Sequence, residues 1–128
     1  MLATIRDDVF VQPRRVLVVD DDPDLRFMLR VLLDRAGESV VVAEAGNGKD
    51  AITAALEHRP DVIVLDEMMP VMSGTEAIPS LRDAVPEARI VIYSAAAAAA
   101  KARSEPAAAD AYLAKGTPLT ELLAAVAA

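Results

Sequence analysis

Five short, largely apolar runs constrain the fold of this chain more than any other feature of its sequence. They are Val16–Val19, Val40–Ala43, Val62–Leu65, Ile90–Tyr93 and Ala111–Leu113. A longer stretch with apolar residues at helical spacing follows each run. Strands that are apolar on both faces cannot leave either face in water, so helices must cover both sides. The pattern predicts an α/β fold built on a doubly wound, five-stranded parallel sheet.

Capping residues mark the beginnings and ends of the predicted helices. Asp22 followed by Pro23 is typical of an N-cap and a first helical position. Gly37 is placed to end that helix, and Asn47 to cap the second. Thr117-Pro118 predicts the same kind of start for a last helix over residues 119–127.

Length and charge limit the classes of protein to which the chain can belong. Its 128 residues, 54% of them hydrophobic, suit one compact domain, placed at residues 14–128 after an N-terminal extension of residues 1–13. There is no cysteine, which excludes thiolate metal sites. A net charge of −7 argues against direct nucleic-acid binding. Neither a membrane span nor a signal peptide is found, so we expect a cytoplasmic location and no membrane partner.

Polar side chains follow four of the five predicted strands. Asp20 and Asp21 follow the first strand, Asp66 the third and Lys115 the fifth, and Ser94 ends the fourth. The carboxyl ends of parallel strands share one edge of the sheet, where such folds bind ligands. Carboxylates brought together repel one another unless a cation joins them, and Mg²⁺ prefers oxygen ligands of this kind. With a lysine and a hydroxyl beside them, these acids suit the transfer of a phosphoryl group.

The residues around these strand ends resemble one known family. The segments are Val18–Pro23, Leu65–Pro70 with Gly74, Tyr93–Ala95 and Ala111–Lys115. In this order they resemble the receiver domains of bacterial two-component response regulators, over nearly the whole chain. The resemblance implies a flavodoxin-like (βα)5 fold with strand order 2-1-3-4-5, as in the chemotaxis member of that family.

The resemblance also implies a phosphoacceptor and a metal site. Asp66 would accept a phosphoryl group from the phosphohistidine of a sensor histidine kinase. Asp20, Asp21 and Asp66, with the backbone carbonyl of Met68, would bind Mg²⁺. Such a chain is a signalling domain rather than an enzyme: it promotes only its own phosphorylation and slow autodephosphorylation. Phosphorylation would switch its conformation and so control an output domain or partner.

The remaining site residues are expected to recognise the phosphoryl group. By the resemblance, Lys115 pairs with Asp66 and later with the phosphoryl oxygens. Ser94 moves to contact that group, Tyr112 turns inward, and the small Ala95 keeps the approach open. A homodimer through the face of the fourth and fifth helices is a further expectation.

Simpler structural roles stay open for several of these residues. Asp20 and Asp21 could stabilise the start of a helix, as we expect Asp22 to do. Ser94 could cap the helix that follows it, Tyr112 could serve only in packing, and Lys115 could be a solvated loop residue.

Three features depart from the pattern of the family. Gly116 follows Lys115 where a proline is usual, and we expect it to loosen the lysine's loop. Glu67 stands where a hydrophobic residue is commoner, and adds negative charge beside the acceptor. The alanine run over residues 95–100, followed by Pro106, predicts a short fourth helix with few contacts.

Other functions make demands that this sequence meets less well. A phosphohydrolase with an aspartyl nucleophile typically needs an acid two residues later, where Met68 stands. A nucleotide-binding domain needs a glycine-rich loop after its first strand, and none follows Val19. The main alternative is a receiver-like module that binds its partners without being phosphorylated.

Overall fold

A five-stranded parallel sheet forms the centre of the protein. The computed structural model describes residues 4–6, 9–103 and 108–128. The strands of this sheet are β3 (Arg14–Val19), β4 (Ser39–Ala45), β5 (Val62–Leu65), β6 (Arg89–Ser94) and β7 (Ala111–Ala114). Their spatial order is β4-β3-β5-β6-β7, which is 2-1-3-4-5 when the strands of this sheet are counted alone. The predicted fold class and strand order are therefore confirmed.

Two further strands precede the sheet. β1 (Thr4–Arg6) and β2 (Val9–Val11) pair in antiparallel fashion. They form a sheet of their own, separate from the five parallel strands. They lie within the segment predicted as an N-terminal extension, for which no pair of strands was predicted.

A helix follows each strand of the parallel sheet. The helices are α1 (Pro23–Arg35), α2 (Gly48–His58), α3 (Gly74–Ala84), α4 (Ala97–Arg103) and α5 (Leu119–Ala127). The described part of α4 has seven residues. The break predicted at Pro106 lies outside the described residues. Within the part of the chain that is described, no helix is long and apolar enough to cross a membrane.

Most of the predicted caps are present. The side chain of Asp22 accepts hydrogen bonds from the first turn of α1, and Asn47 caps α2 in the same way. Gly37 follows α1 with a φ of 79°, a left-handed conformation that glycine adopts without strain. α5 spans the predicted residues 119–127, but its predicted cap was wrong: Pro118 rather than Thr117 takes the N-cap position, and no side chain caps the helix.

The hydrophobic core lies in two layers, one on each face of the sheet. Leu17 and Val19 of β3 point into the layer that contains Leu81 of α3. Val16 and Val18 point into the layer that contains Leu29 and Leu33 of α1. Alternate residues of a strand face opposite sides, so an entirely buried strand has to be apolar throughout. Burying each large side chain stabilises the fold by about 1.5–3 kcal/mol.

A strained turn lies between β5 and α3. Val71 has a φ of 69°, and the N–H of Met72 donates to the carbonyl of Pro70 at 2.7 Å. This hydrogen bond across one residue closes a γ-turn, whose positive-φ form is unfavourable for a β-branched side chain. The side chain of Val71 is 78% exposed, so little packing offsets the strain.

We predict that Val71→Gly stabilises the protein by about 1 kcal/mol, because relief of strain exceeds the entropy that glycine adds to the unfolded chain. Urea unfolding measures the change. Val71→Ala is the matched control, since it removes the exposed methyl groups but keeps the Cβ atom. Equal stability of the glycine and alanine variants would show that the backbone is not strained here.

Candidate functional site

Three carboxylates meet at the carboxyl edge of the sheet. Asp20 and Asp21 follow β3, and Asp66 follows β5 beside it. Each of the three offers a carboxylate oxygen that lies within 4.8 Å of those of the other two. Asp20 and Asp66 are only 2% and 4% exposed, whereas Asp21 is exposed. The three acids are therefore close enough to share one cation.

Lys115 joins the two buried acids. Its Nζ atom lies 2.8 Å from Oδ2 of Asp20 and 3.1 Å from Oδ2 of Asp66. The backbone N–H of Lys115 donates to the carbonyl of Ser94 at 3.1 Å, which fixes the start of the loop after β7. The backbone hydrogen bond thus holds the loop, and the two ion pairs hold the ammonium group at the acids. Lys115 is not a solvated loop residue.

Burial and charge shift the ionisation of this group. Burial raises the pKa of Asp20, and the nearby charge of Asp66 adds to the effect, while hydrogen bonds from Lys115 and from the N–H of Asp22 oppose it. Burial alone would lower the pKa of Lys115, but its hydrogen bonds to the two acids outweigh burial and raise that pKa. The site therefore favours the charged form of Lys115 and disfavours the ionised form of Asp20.

The donor set fits a hard divalent cation. Three carboxylates face a single ammonium group, so negative charge is in excess when all three acids are ionised. Burial makes that excess costly, as the raised pKa of Asp20 shows. Carboxylate oxygens are the ligands that Mg²⁺ prefers, usually in company with water and phosphoryl oxygens. A metal ion of this kind would relieve the repulsion between the acids.

The loop after β5 orients the carboxylate of Asp66. Its Oδ1 atom accepts hydrogen bonds from the backbone N–H groups of Glu67 at 2.8 Å and Met68 at 3.4 Å. The side chain of Met68 is 64% exposed, so this loop borders solvent. Asp66 is therefore held by backbone groups on one oxygen and by Lys115 on the other.

The hydroxyls of two other predicted residues bond to main-chain groups. The hydroxyl of Ser94, which is wholly buried, accepts from the N–H of Ala96 at 3.1 Å. The hydroxyl of Tyr112 accepts from the N–H of Ala109 at 2.8 Å, and its ring packs against the core. Ala95 is exposed. In this conformation the bond of Ser94 lies just before α4, and Tyr112 combines packing with a hydrogen bond.

Sequence reasoning missed the residue that supports Asp20 from the other side. Glu44, at the end of β4, forms ion pairs with Arg26 and Arg30 of α1 at 3.0 and 2.8 Å. Arg26 also donates to the backbone carbonyl of Asp20 at 2.6 Å. Burial opposes ionisation of Glu44, but the two arginines outweigh it and lower the pKa of that carboxyl. Two arginines spaced four residues apart lie on the same face of a helix, and this spacing could have indicated a shared acidic partner.

Glu67 is not a free charge beside Asp66. Its side chain is buried, and its Oε2 atom lies 2.6 Å from Nη2 of Arg103 in α4. The negative charge that Glu67 brings to the neighbourhood of Asp66 is therefore balanced by an arginine that the sequence analysis did not identify. The partner is 36 positions away in sequence, in the alanine-rich segment, so no local pattern indicated the pair.

Comparison with known proteins decides the family. Residues 16–127 match the family model described as the response regulator receiver domain. The chain belongs to this family. The receiver domain is 39% identical over 82 residues to the chemotaxis protein CheY of Thermotoga maritima, a match that covers 64% of this chain and 68% of that protein. It is 38% identical over 109 residues to the transcriptional regulatory protein KdpE of Mycobacterium tuberculosis, covering 85% of this chain.

Solved structures of similar proteins agree with this assignment. The receiver domain of the putative response regulator NarL from Mycobacterium tuberculosis is 32% identical, with a TM-score of 0.80 over 89% of this chain and 93% of that one. A response regulator from Burkholderia pseudomallei, described with a phosphorylated aspartic acid, a calcium ion and citrate, is 31% identical, with a TM-score of 0.77 over 88% of this chain and 66% of that one. The present chain spans 47% of the length of KdpE.

We predict that Gly74→Ala displaces Asp66 and destabilises the protein by about 1–3 kcal/mol, a typical cost of overpacking. A Cβ atom at Gly74 would lie 3.0 Å from the backbone carbonyl carbon of Asp66 and 3.2 Å from Cα of Glu67. Thermal unfolding measures the stability, and the backbone amide shift of Asp66 reports its displacement.

The matched control for this change is Gly46→Ala, whose added methyl group would have its nearest neighbour at an ordinary 3.7 Å, at Nη1 of Arg26. If the two variants lose equal stability, the close packing of α3 against the loop after β5 has no special importance.

Proposed function

We propose that this receiver domain accepts a phosphoryl group on Asp66, with Mg²⁺, from the phosphohistidine of a sensor histidine kinase. The observation that carries the proposal is Lys115 bound to both Asp20 and Asp66, with Asp21 close enough to complete a cation site. Phosphorylation then shifts the domain to a second conformation that controls an output domain or partner. The domain is a signalling switch rather than an enzyme with a separate substrate.

The transfer uses the carboxylate of Asp66 as its nucleophile. A carboxylate oxygen of Asp66 forms a bond to phosphorus while the bond from phosphorus to the histidine nitrogen breaks. The electron pair leaves with the imidazole. Asp66 needs no general base, because an ionised carboxylate has no proton to remove. In phosphoryl transfer, catalysis comes mainly from positioning and charge neutralisation. The backbone N–H groups on Oδ1 provide the first, and Lys115 contributes to the second.

Four groups would hold the metal ion. These are the carboxylates of Asp20, Asp21 and Asp66 and the backbone carbonyl of Met68. When bound, Mg²⁺ supplies positive charge that makes the approach of an anionic phosphoryl group to buried acids favourable. A phosphorylated aspartate and a divalent cation both appear in the description of the Burkholderia relative, which supports this assignment.

The switch requires the two hydroxyls to change partners. On phosphorylation, the hydroxyl of Ser94 leaves the N–H of Ala96 and bonds a phosphoryl oxygen, while Ala95 leaves the approach open. Tyr112 turns inward, and Lys115 moves its hydrogen bonds to the phosphoryl oxygens. Contacts made only with the phosphoryl group favour the second conformation, as a population shift demands.

The proposed partners follow from the family and from the charge of the chain. The relative KdpE is named as a transcriptional regulatory protein, and the chain matches less than half of its length. We infer that residues 14–128 act as the receiver module, following an extension of residues 1–13, and pass the signal to an output domain or protein. The module would work in the cytoplasm, away from membrane and nucleic acid, with a homodimer formed through α4 and α5.

We predict that a small phosphodonor such as phosphoramidate labels the protein with one phosphoryl group, on Asp66, only when Mg²⁺ is present. Mass spectrometry of the intact protein and of its peptides measures the label. Asp66→Asn removes the nucleophile and abolishes labelling, and chelation of Mg²⁺ does the same.

A pair of neighbouring acids provides the control. Asp21→Asn removes a proposed metal ligand and weakens Mg²⁺ binding by about tenfold or more. Asp22→Asn removes the adjacent charge but keeps a good helix cap, and binding stays close to that of the unmodified protein. Wild-type protein that stays unlabelled with Mg²⁺ would instead favour the alternative of a receiver that works without phosphorylation.

We further predict slow loss of the phosphoryl group. Met68 and Ala96 follow Asp66 and Ser94 by two residues, and neither has a polar side chain to orient an attacking water. Met68→Asn or Ala96→Glu supplies one, so the label decays faster in either variant. Decay of labelled protein after removal of the donor measures this, and equal half-lives in all three proteins would contradict the argument.

A further inference from the structure

The residue next to the phosphoacceptor is fixed by contacts to two helices. Oε1 of Glu67 accepts hydrogen bonds from the backbone N–H and the hydroxyl of Thr75 in α3, both at 2.6 Å. Its other carboxylate oxygen pairs with Arg103 in the last turn of α4. A carboxylate that is 2% exposed is tolerated only with partners of this strength. Glu67 therefore has one well-defined position, between α3 and α4.

The main chain of the same residue orients Asp66. The N–H of Glu67 makes the shorter of the two backbone hydrogen bonds to Oδ1 of Asp66, at 2.8 Å. Its carbonyl accepts from the N–H of Gly74 at 3.2 Å. A displacement of the side chain of Glu67 therefore also moves its N–H, which is hydrogen-bonded to the carboxylate of Asp66.

Within the described residues, the side chains that α4 buries are small. Its buried residues are Ala97 and Ala100, and alanine buries far less apolar area than the leucines that anchor α1. Arg103 lines an open cleft of about 770 Å³ together with Asp21 and Met68. Both partners of the ion pair therefore line the same cleft as Asp21, one of the three clustered acids.

We propose that Glu67 is a positioning residue that couples the phosphoacceptor to α4 through its ion pair with Arg103. The coupling rests on the proposed function, because it needs a phosphoryl group at Asp66; the anchoring of α4 does not. A phosphoryl group and its metal ion change the charge one residue from Glu67, on the cleft that Arg103 lines. If phosphorylation of Asp66 changes the strength of the ion pair between Glu67 and Arg103, it must by linkage change the stability of α4 by the same free energy.

The resting protein provides the first test, by amide hydrogen exchange measured without phosphodonor. Arg103→Gln removes the ion pair, and we expect the amides of α4 to exchange about tenfold faster, the usual effect of losing one charge-assisted hydrogen bond. Amides of α1 and α5 serve as internal references for global stability. Arg103→Lys keeps the charge and restores part of the protection.

Lys101→Gln is the matched control for this test. It removes an equal charge from the same helix, at an exposed position that is away from Glu67, and leaves α4 protection unchanged. If α4 exchanges as slowly in Arg103→Gln as in the unmodified protein, the proposal is overturned. Equal acceleration in the two glutamine variants also overturns it, because the effect would then come from helix charge alone.

The second test adds beryllofluoride, a mimic of the phosphoryl group, together with Mg²⁺. In the unmodified protein we expect α4 exchange to change by about fivefold or more, the lower range of allosteric coupling. In Arg103→Gln the change falls to less than about twofold, although the mimic still binds at Asp66. An equal response in both proteins would show that the signal reaches α4 by another route.

The two proposals can fail separately. Labelling of Asp66 by phosphoramidate tests the proposed function and does not depend on α4. The comparison of resting proteins tests the ion pair and requires no phosphorylation. A protein that is not labelled, but whose α4 loosens in Arg103→Gln, contradicts the proposed function and the coupling while it supports the anchoring of α4 by Glu67.

Discussion

The ammonium group of Lys115, placed between Asp20 and Asp66, is the interaction on which the rest of the site depends. Without it, two carboxylates that are almost completely buried would face each other across the end of the sheet. A single lysine cannot balance three ionised acids, so negative charge remains in excess at this edge of the sheet. Under the proposed function, that imbalance would favour the binding of a metal ion and then of a phosphoryl group at this edge of the sheet.

The parallel sheet gives this interaction its geometry. β3 and β5 are neighbours, and their last residues deliver the buried acids side by side, although 46 positions separate these acids in sequence. β7 lies two strands away from β5, a distance that the long side chain of Lys115 spans. The packing that buries the strands therefore also brings the charges together.

Sequence reasoning predicted the parts of the molecule that depend on local patterns. The apolar runs determined the strands and their burial on both faces, and Asp22 and Asn47 began their helices as expected. Strand order came from the family resemblance, because periodicity does not say which strands pair. The pair of Glu67 with Arg103 and the pairs of Glu44 with α1 depend on contacts between distant segments, so propensity and spacing could not reveal them. Thr117 failed as a cap because Pro118 itself took that position.

In the proposed switch, the hydrogen bonds of Ser94 and Tyr112 also determine how strongly the unphosphorylated conformation is favoured over the second one. Each hydroxyl accepts from a main-chain N–H, and an inward turn would leave that N–H to find water. With about 1 kcal/mol for each bond, the two together favour the resting arrangement by about 2 kcal/mol, or about thirtyfold. In the proposed switch, a bias of this size would keep output low before phosphorylation and would still be small enough for one phosphoryl group to reverse.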